Sequence, residues 1–184
     1  MSVKNFVAGI KIRQLKHRME PKDLLFPEVL QNPKHILVCL PGGLRELTLV
    51  KQILPAISEL FKPADIVLLS MPGVKVTDIF PRKGFQILSP SAEQLSWSGL
   101  AKNSYIEQLK EMKFDLVLDL NLQTSSFISS LLLHFPDAVR IGRGNHRGNP
   151  FYNFEIKTKY LRDERNIYRS MLDTISLMKD QPVG

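Results

Sequence analysis

Residues 114–142 read FDLVLDLNLQTSSFISSLLLHFPDAVRIG. The first part, 115–120 (DLVLDL), is a short and nearly continuous apolar run. It stops at the polar stretch Asn121 to Ser126, and 124–135 then carries leucines on one side and serines on the other. Pro136-Asp137 breaks that segment, and 138–141 (AVRI) is apolar again. A short apolar run bounded by turn formers is a strand buried on both faces, and the segment between the two runs is long enough for a helix. Strand, helix, strand in that order makes the two strands parallel neighbours.

The same alternation extends outward. Upstream, 35–40 (HILVCL) is a strand that ends at Pro41-Gly42-Gly43. Leu47, Val50, Ile53, Leu54, Ile57 and Leu60 then predict a helix over 46–61, with a kink expected at Pro55. Further strands are expected at 65–70 (DIVLLS) and 85–88 (FQIL). A helix over 100–112 places Tyr105, Ile106, Leu109 and Met112 on one face. Downstream, 143–150 (RGNHRGNP) is a Gly- and Asn-rich loop and 151–157 is extended. Ile167, Met171, Leu172, Ile175 and Met178 predict a closing helix over 162–178. The expected class is α/β: a Rossmann-like, doubly wound parallel sheet over 35–178. A basic N-terminal extension, 1–34, precedes it. Residues 179–184 read as the start of a linker or tail. No internal repeat or second domain is visible.

Composition narrows the function classes. The chain has 184 residues, with 43% apolar and 23% charged, enough to bury a core without metals or disulfides. Cys39 is the sole cysteine, which excludes an internal disulfide framework and a Cys-rich zinc site. It sits in an apolar strand and reads as an inert core residue. Mean hydropathy is −0.08, and no apolar run approaches the roughly 20 residues that span a bilayer. Lys and Arg number 25 against 18 Asp and Glu, a net charge of +7, so anionic partners are favoured. No RRM, KH, zinc-finger or aromatic-interleaved basic motif supports nucleic acid as that partner. Motifs of the H-E-x-x-H and G-x-S-x-G kinds are absent, and neither a metal nor a cofactor is expected.

The first residues lack the h-region of a secretory signal, so a cytoplasmic protein is expected. Phe6, Val7, Ile10, Ile12 and Leu15 alternate with Lys and Arg. Two readings stand: a basic helix on an anionic membrane surface, or one folded back on the domain. The first would make a peripheral membrane contact.

Ligands of an open parallel sheet bind at the C-terminal ends of its strands. Three loops are expected there. In Pro41–Glu46, Gly42 and Gly43 let a ligand approach the backbone, and Glu46 is either a general base or a first-turn acid facing the helix dipole. In 121–126, Asn121, Gln123, Thr124 and Ser125 suit sugar hydroxyls or phosphate, and Ser and Thr equally suit helix capping. In 140–147, Arg140, Arg143 and Arg147 form an anion clamp with His146 among them. Trp97 sits on a loop, either packed or stacking on a sugar ring.

In order and spacing these pieces resemble the N-terminal domain of glycosyltransferase family 9, the ADP-heptose:lipopolysaccharide heptosyltransferases. The block 114–142 is similar to the family's Y-D-L-V-I-D-L…R-I-G stretch. The segment from Ile36 to Leu69 is similar to its strand, S-S-I-G-D loop, helix and following strand. Glu164, Arg165 and Tyr168 look like its H-x-V-E-R-Y helix. The resemblance implies one half of a GT-B architecture, with this half holding an anionic saccharide or lipid A-type acceptor and a second domain holding the nucleotide-sugar donor. It places Glu46 where the family has its candidate catalytic Asp, Arg45 where it has Gly, and Gly42 and Gly43 where it has two Ser. Arg45 is expected to pair with Glu46 and weaken it as a base. It also implies that this chain needs a completing half for transfer, or that it binds without catalysing.

Overall fold

The computed structural model describes residues 3–20, 24, 26–80, 84–143 and 150–181. Six strands form one sheet: β1 (His35–Cys39), β2 (Asp65–Leu69), β3 (Gln86–Leu88), β4 (Leu116–Asp119), β5 (Val139–Arg143) and β6 (Phe154–Ile156). Their order is β3-β2-β1-β4-β5-β6, and every pairing is parallel. The expected doubly wound sheet is therefore present. The order reverses between β1 and β4, which opens a crevice at their C-terminal ends.

Period-two alternation along the strands divides the core into two layers. Ile36, Val38, Ile66, Leu68, Leu116, Leu118, Val139 and Ile141 pack on one side. They meet α2 (Glu28–Gln31), α3 (Leu44–Leu60) and α6 (Glu164–Lys179). Leu37, Cys39, Val67, Leu69 and Val117 face α4 (Asn103–Glu111) and α5 (Ser126–Leu132) on the other. An outer helix, α1 (Val3–Arg18), packs on α5. Lys179 Nζ donates to the Leu60 carbonyl and lies 5.1 Å over the Phe61 ring, tying the end of α6 to the end of α3.

Helix ends differ from the sequence reading where caps decide them. α3 starts at Leu44 rather than 46 because Gly43, in extended conformation, is its N-cap. α5 starts at Ser126 because the Ser125 hydroxyl accepts the Ile128 N–H, and it stops short of Pro136. α4 starts at Asn103 because Ala101 pairs with Leu95 in an isolated antiparallel bridge.

The same alternation splits the expected arginine cluster. Arg140 points into the α5 layer, opposite to its neighbours Val139 and Ile141. It is buried, and Nη1 donates to the carbonyls of Leu132 (3.5 Å) and Phe135 (3.4 Å) while Nε donates to Asn153 Oδ1 (3.2 Å). It closes the C-terminal end of α5 and is remote from any anion clamp. Burial pulls its pKa down to about 10. Arg140→Met strands these buried acceptors, and the expected loss is about 3 kcal/mol in urea unfolding. Tyr105 shows the opposite case. Its buried hydroxyl has no hydrogen-bond partner among the described residues, so Tyr105→Phe is expected to hold or raise the thermal midpoint.

Candidate active site

Glu46 is the third residue of α3, on the rim of the crevice. Its carboxylate lies beside Gly43 at the helix start, where the Gly43 N–H favours the ionised form. A Cβ on Gly43 would sit 3.0 Å from Glu46 Oε2, a tight contact that the flexible carboxylate would relieve by shifting. Burial pushes the Glu46 pKa up, the charge of Glu164 pushes it further, and the Gly43 N–H draws it part of the way back.

Glu164 opens α6, where Asp163 caps the helix by accepting the Asn166 N–H at 3.1 Å. Arg45 Nε lies 3.0 Å from Glu164 Oε2. The expected Arg45–Glu46 pair is thus not what forms. Consecutive helical residues diverge by about 100°, and Arg45 reaches across to α6 instead. Its cation answers Glu164, and Glu46 keeps a raised pKa.

Behind these two acids lies Tyr168, whose hydroxyl donates to the Leu120 carbonyl at 3.0 Å. Burial raises its pKa far above the ordinary value; Glu46, Glu164 and Asp119 add to the rise and Arg143 opposes it. One tyrosine therefore senses carboxylates from α3, α6 and β4 and a guanidinium from β5. Arg143 is half-buried, and its Nη2 donates to the Tyr160 carbonyl at 3.3 Å. Its side chain shares the α3/α6 layer, as its spacing from Ile141 dictates.

Asp119, at the end of β4, is fully buried. It accepts Tyr152 Oη at 2.6 Å, Asn121 Nδ2 at 2.8 Å and the Asn121 N–H at 3.0 Å. Asn121 is thereby held against Asp119 rather than presented to the crevice. Ser125 is occupied by its cap, Gln123 and Thr124 are exposed, and Gly42 is exposed beside Met71. His146 and Arg147 lie outside the described residues.

Beside the N-terminal turns of α3 and the start of α6 runs an open groove of about 830 Å³, lined by Leu44, Arg45, Thr48, Leu49, Gln52, Asp163 and Arg165. Hydroxyl, amide, acid and guanidinium groups together suit a polyhydroxylated anion. Trp97, 59% exposed, sits on the loop leaving β3. That turn is fixed by Gly99 N–H to Ser96 O (2.9 Å) and Ser96 N–H to Leu100 O (2.8 Å), so the indole is presented rather than packed. Among the described residues no group of three His, Cys, Asp or Glu side chains could hold a metal. None of the described helices is long and apolar enough to cross a membrane.

Glu164 and Asp119 are functional candidates that sequence reasoning did not place in the site. The signal for Glu164 was present in the Asp163-Glu164 pair that opens a helix. For Asp119 it was an acid inside an otherwise apolar strand, which demands buried partners.

No family model matches the sequence, and no curated protein matches it. Among solved structures, the glycosyl transferase family 9 protein from Veillonella parvula superposes with a TM-score of 0.59 at 17% identity, over 84% of this chain and 44% of that one. E. coli heptosyltransferase WaaC with ADP gives 0.59 at 13% identity, over 82% and 49%. The same E. coli enzyme with ADP-2-deoxy-2-fluoro heptose gives 0.52 at 12% identity, over 82% and 50%. This chain thus spans about half the length of the structures it matches. The resemblance to family 9 holds at the level of the fold, which is that of one Rossmann-like half of a GT-B glycosyltransferase.

Proposed function

We propose that this chain is the acceptor side of a sugar-transfer site of the heptosyltransferase kind. It binds an anionic saccharide or lipid A-type acceptor and works with a second domain that carries the nucleotide-sugar. The observation that carries this reading is the Glu46 carboxylate: half-buried on the crevice rim, raised in pKa, and not paired by the adjacent Arg45. A base with its pKa lifted toward neutrality is better matched to taking a proton from a hydroxyl. In the step, the acceptor oxygen bonds to the sugar's anomeric carbon while Glu46 takes its proton. The bond from that carbon to the diphosphate oxygen breaks, and the nucleoside diphosphate leaves with the electron pair. The groove beside the starts of α3 and α6 and the guanidinium of Arg143 hold the acceptor, and Gly42 and Gly43 allow it close to the backbone. A cytoplasmic location, where activated sugars are made, belongs to the same reading.

The test mixes the full chain with a nucleotide-diphosphoheptose and a Kdo-lipid acceptor, with and without a second Rossmann-like domain. Product read by mass spectrometry is expected only when that domain is supplied. No transfer in any combination rejects the reading. Trp97 is the chain's sole tryptophan. Its emission is expected to change when an acceptor saccharide fills the crevice.

A second reading is favoured by one contact. Because the Glu46 carboxylate lies beside Gly43 at the N-terminal turn of α3, it complements that end of the helix whatever else it does. A non-catalytic saccharide- or lipid-binding module would use it only so. That reading expects acceptor binding unchanged in Glu46→Gln, with no transfer by any assembly.

A further inference from the structure

Helix α1 carries apolar side chains on two opposite faces. The inner face is Ala8, buried, with Ile12 and Leu15 half-buried, against α5. Its C-terminal end is anchored: Arg140 Nη1 donates to Met19 Sδ at 3.3 Å, and Lys16 Nζ lies 5.6 Å over the Phe151 ring. Residues of a helix are about 100° apart, so Val3, Phe6 and Ile10 project from the face opposite Ala8. They are 70%, 58% and 44% exposed. Arg13 and His17 continue that outer face and Lys16 and Arg18 lie at its flanks, whereas Lys4 and Lys11 fall about 40° and 60° from Ala8, on the inner side. Over its whole length α1 contains no Asp or Glu.

An exposed Phe and Ile on a folded helix costs solvation free energy unless something covers them. The charge decides what. The chain carries +7, and two copies meeting through helices that bear only cations would repel. A surface that is both apolar beneath and anionic at its face satisfies both halves of the pattern. We propose that the outer face of α1 docks the protein on an anionic lipid surface. Phe6, Ile10 and Val3 enter the boundary between headgroups and acyl chains, and Arg13 and Arg18 meet the lipid phosphates. The long basic side chains lie along the helix with their charges at headgroup level. This surface does not depend on the sugar-transfer reading, and failure of transfer leaves it standing.

Co-sedimentation of the full chain with vesicles tests it. Vesicles of phosphatidylcholine containing phosphatidylglycerol are expected to retain the protein, and pure phosphatidylcholine to retain at least about tenfold less. Retention falls as salt shortens the reach of the charges. The pair Phe6→Ser and Ile10→Ser lowers partitioning about tenfold or more, and the pair Arg13→Glu and Arg18→Glu does the same. Both variants keep the parent thermal midpoint because the side chains are exposed. A third variant reads insertion directly. Phe6→Trp in a Trp97→Phe background shifts its emission to the blue on anionic vesicles only. The proposal is overturned by equal retention on neutral vesicles, by unchanged partitioning of the Phe6 and Ile10 pair, or by no blue shift. A dimer in sedimentation equilibrium that the Phe6 and Ile10 pair abolishes also overturns it, in favour of a second copy.

Discussion

On the proposed sugar-transfer reading, Glu46→Gln is expected to lower transfer by the assembled protein about a hundredfold or more, while the thermal midpoint of the chain holds or rises. The first half follows from the role of a general base, whose removal typically costs 10²–10⁴ in rate. The second half follows from the electrostatics. Burial and Glu164 raise the Glu46 pKa, so between its unfolded and folded values the native chain binds more protons than the unfolded one. Stability therefore falls as pH rises through that window, and above it the ionised carboxylate is a standing penalty on the fold. Gln removes the charge and keeps an oxygen beside Gly43. The carboxylate is partly solvated, so the gain at neutral pH is under about 1 kcal/mol. It disappears at acid pH, where Glu46 in the parent is itself neutral. Thermal melts of both proteins across pH 4 to 8, beside initial rates, separate the roles. If the variant is less stable at neutral pH and still turns over, Glu46 complements the helix start and does nothing more.

The acid limb of the rate profile carries the same sign. On the proposed sugar-transfer reading Glu46 acts deprotonated, so kcat/KM is expected to decline as pH falls, with the midpoint shifted up from the ordinary Glu value. Glu164→Gln removes one of the two causes that raise the pKa. It is expected to move that limb to lower pH with Glu46 still present. A purely structural Glu164 would leave the limb where it is.

The fold was legible in the sequence because the four central strands β1, β2, β4 and β5 are buried on both faces and leave apolar runs, while the edge strands β3 and β6 are short and only partly buried and left weaker signals. Helix ends were less legible. Gly43 and Ser125 fix them through backbone conformation and a single hydroxyl bond, which hydrophobic periodicity does not encode. Within the site, the position of Glu46 was readable from the turn that precedes it. The partner of Arg45 was not, because Glu164 is brought to it only when α6 packs on α3. Arg140 and Arg143 looked like one cluster in the sequence. Strand alternation, already implied by the apolar residues around them, sends the first to α5 and the second toward Tyr160. Asn121 looked available for a ligand because the acid two residues before it was read as part of a strand rather than as its partner.

Gly142→Ala is expected to destabilise the fold by about 3 kcal/mol or more, a large effect for one methyl group. A Cβ at Gly142 would fall 2.3 Å from Tyr152 Cε1 and 2.4 Å from Cζ. No rotamer adjustment of a flexible side-chain end relieves that contact, since the obstacle is a ring seated in the core. The ring must move, which adds an overpacking cost of about 1–3 kcal/mol. Moving it draws Tyr152 Oη away from Asp119 Oδ2, now 2.6 Å distant. That is a buried hydrogen bond to a charged acceptor, about 1.5–3 kcal/mol. A double-mutant cycle isolates the cause. Tyr152→Phe removes the hydrogen bond but leaves the ring, so Gly142→Ala still clashes in that background. Tyr152→Ala removes the ring, and the added methyl is then nearly free or slightly favourable in a strand. If Gly142→Ala costs the same with and without the Tyr152 ring, the glycine is needed for backbone reasons and not to seat Tyr152 against Asp119. The stakes reach beyond stability, because Asp119 also holds Asn121 and raises the pKa of Tyr168. A displaced Tyr152 would leave a less fully paired carboxylate directly under the crevice. The variant is therefore expected to lose acceptor binding at temperatures where its far-UV circular dichroism is still native.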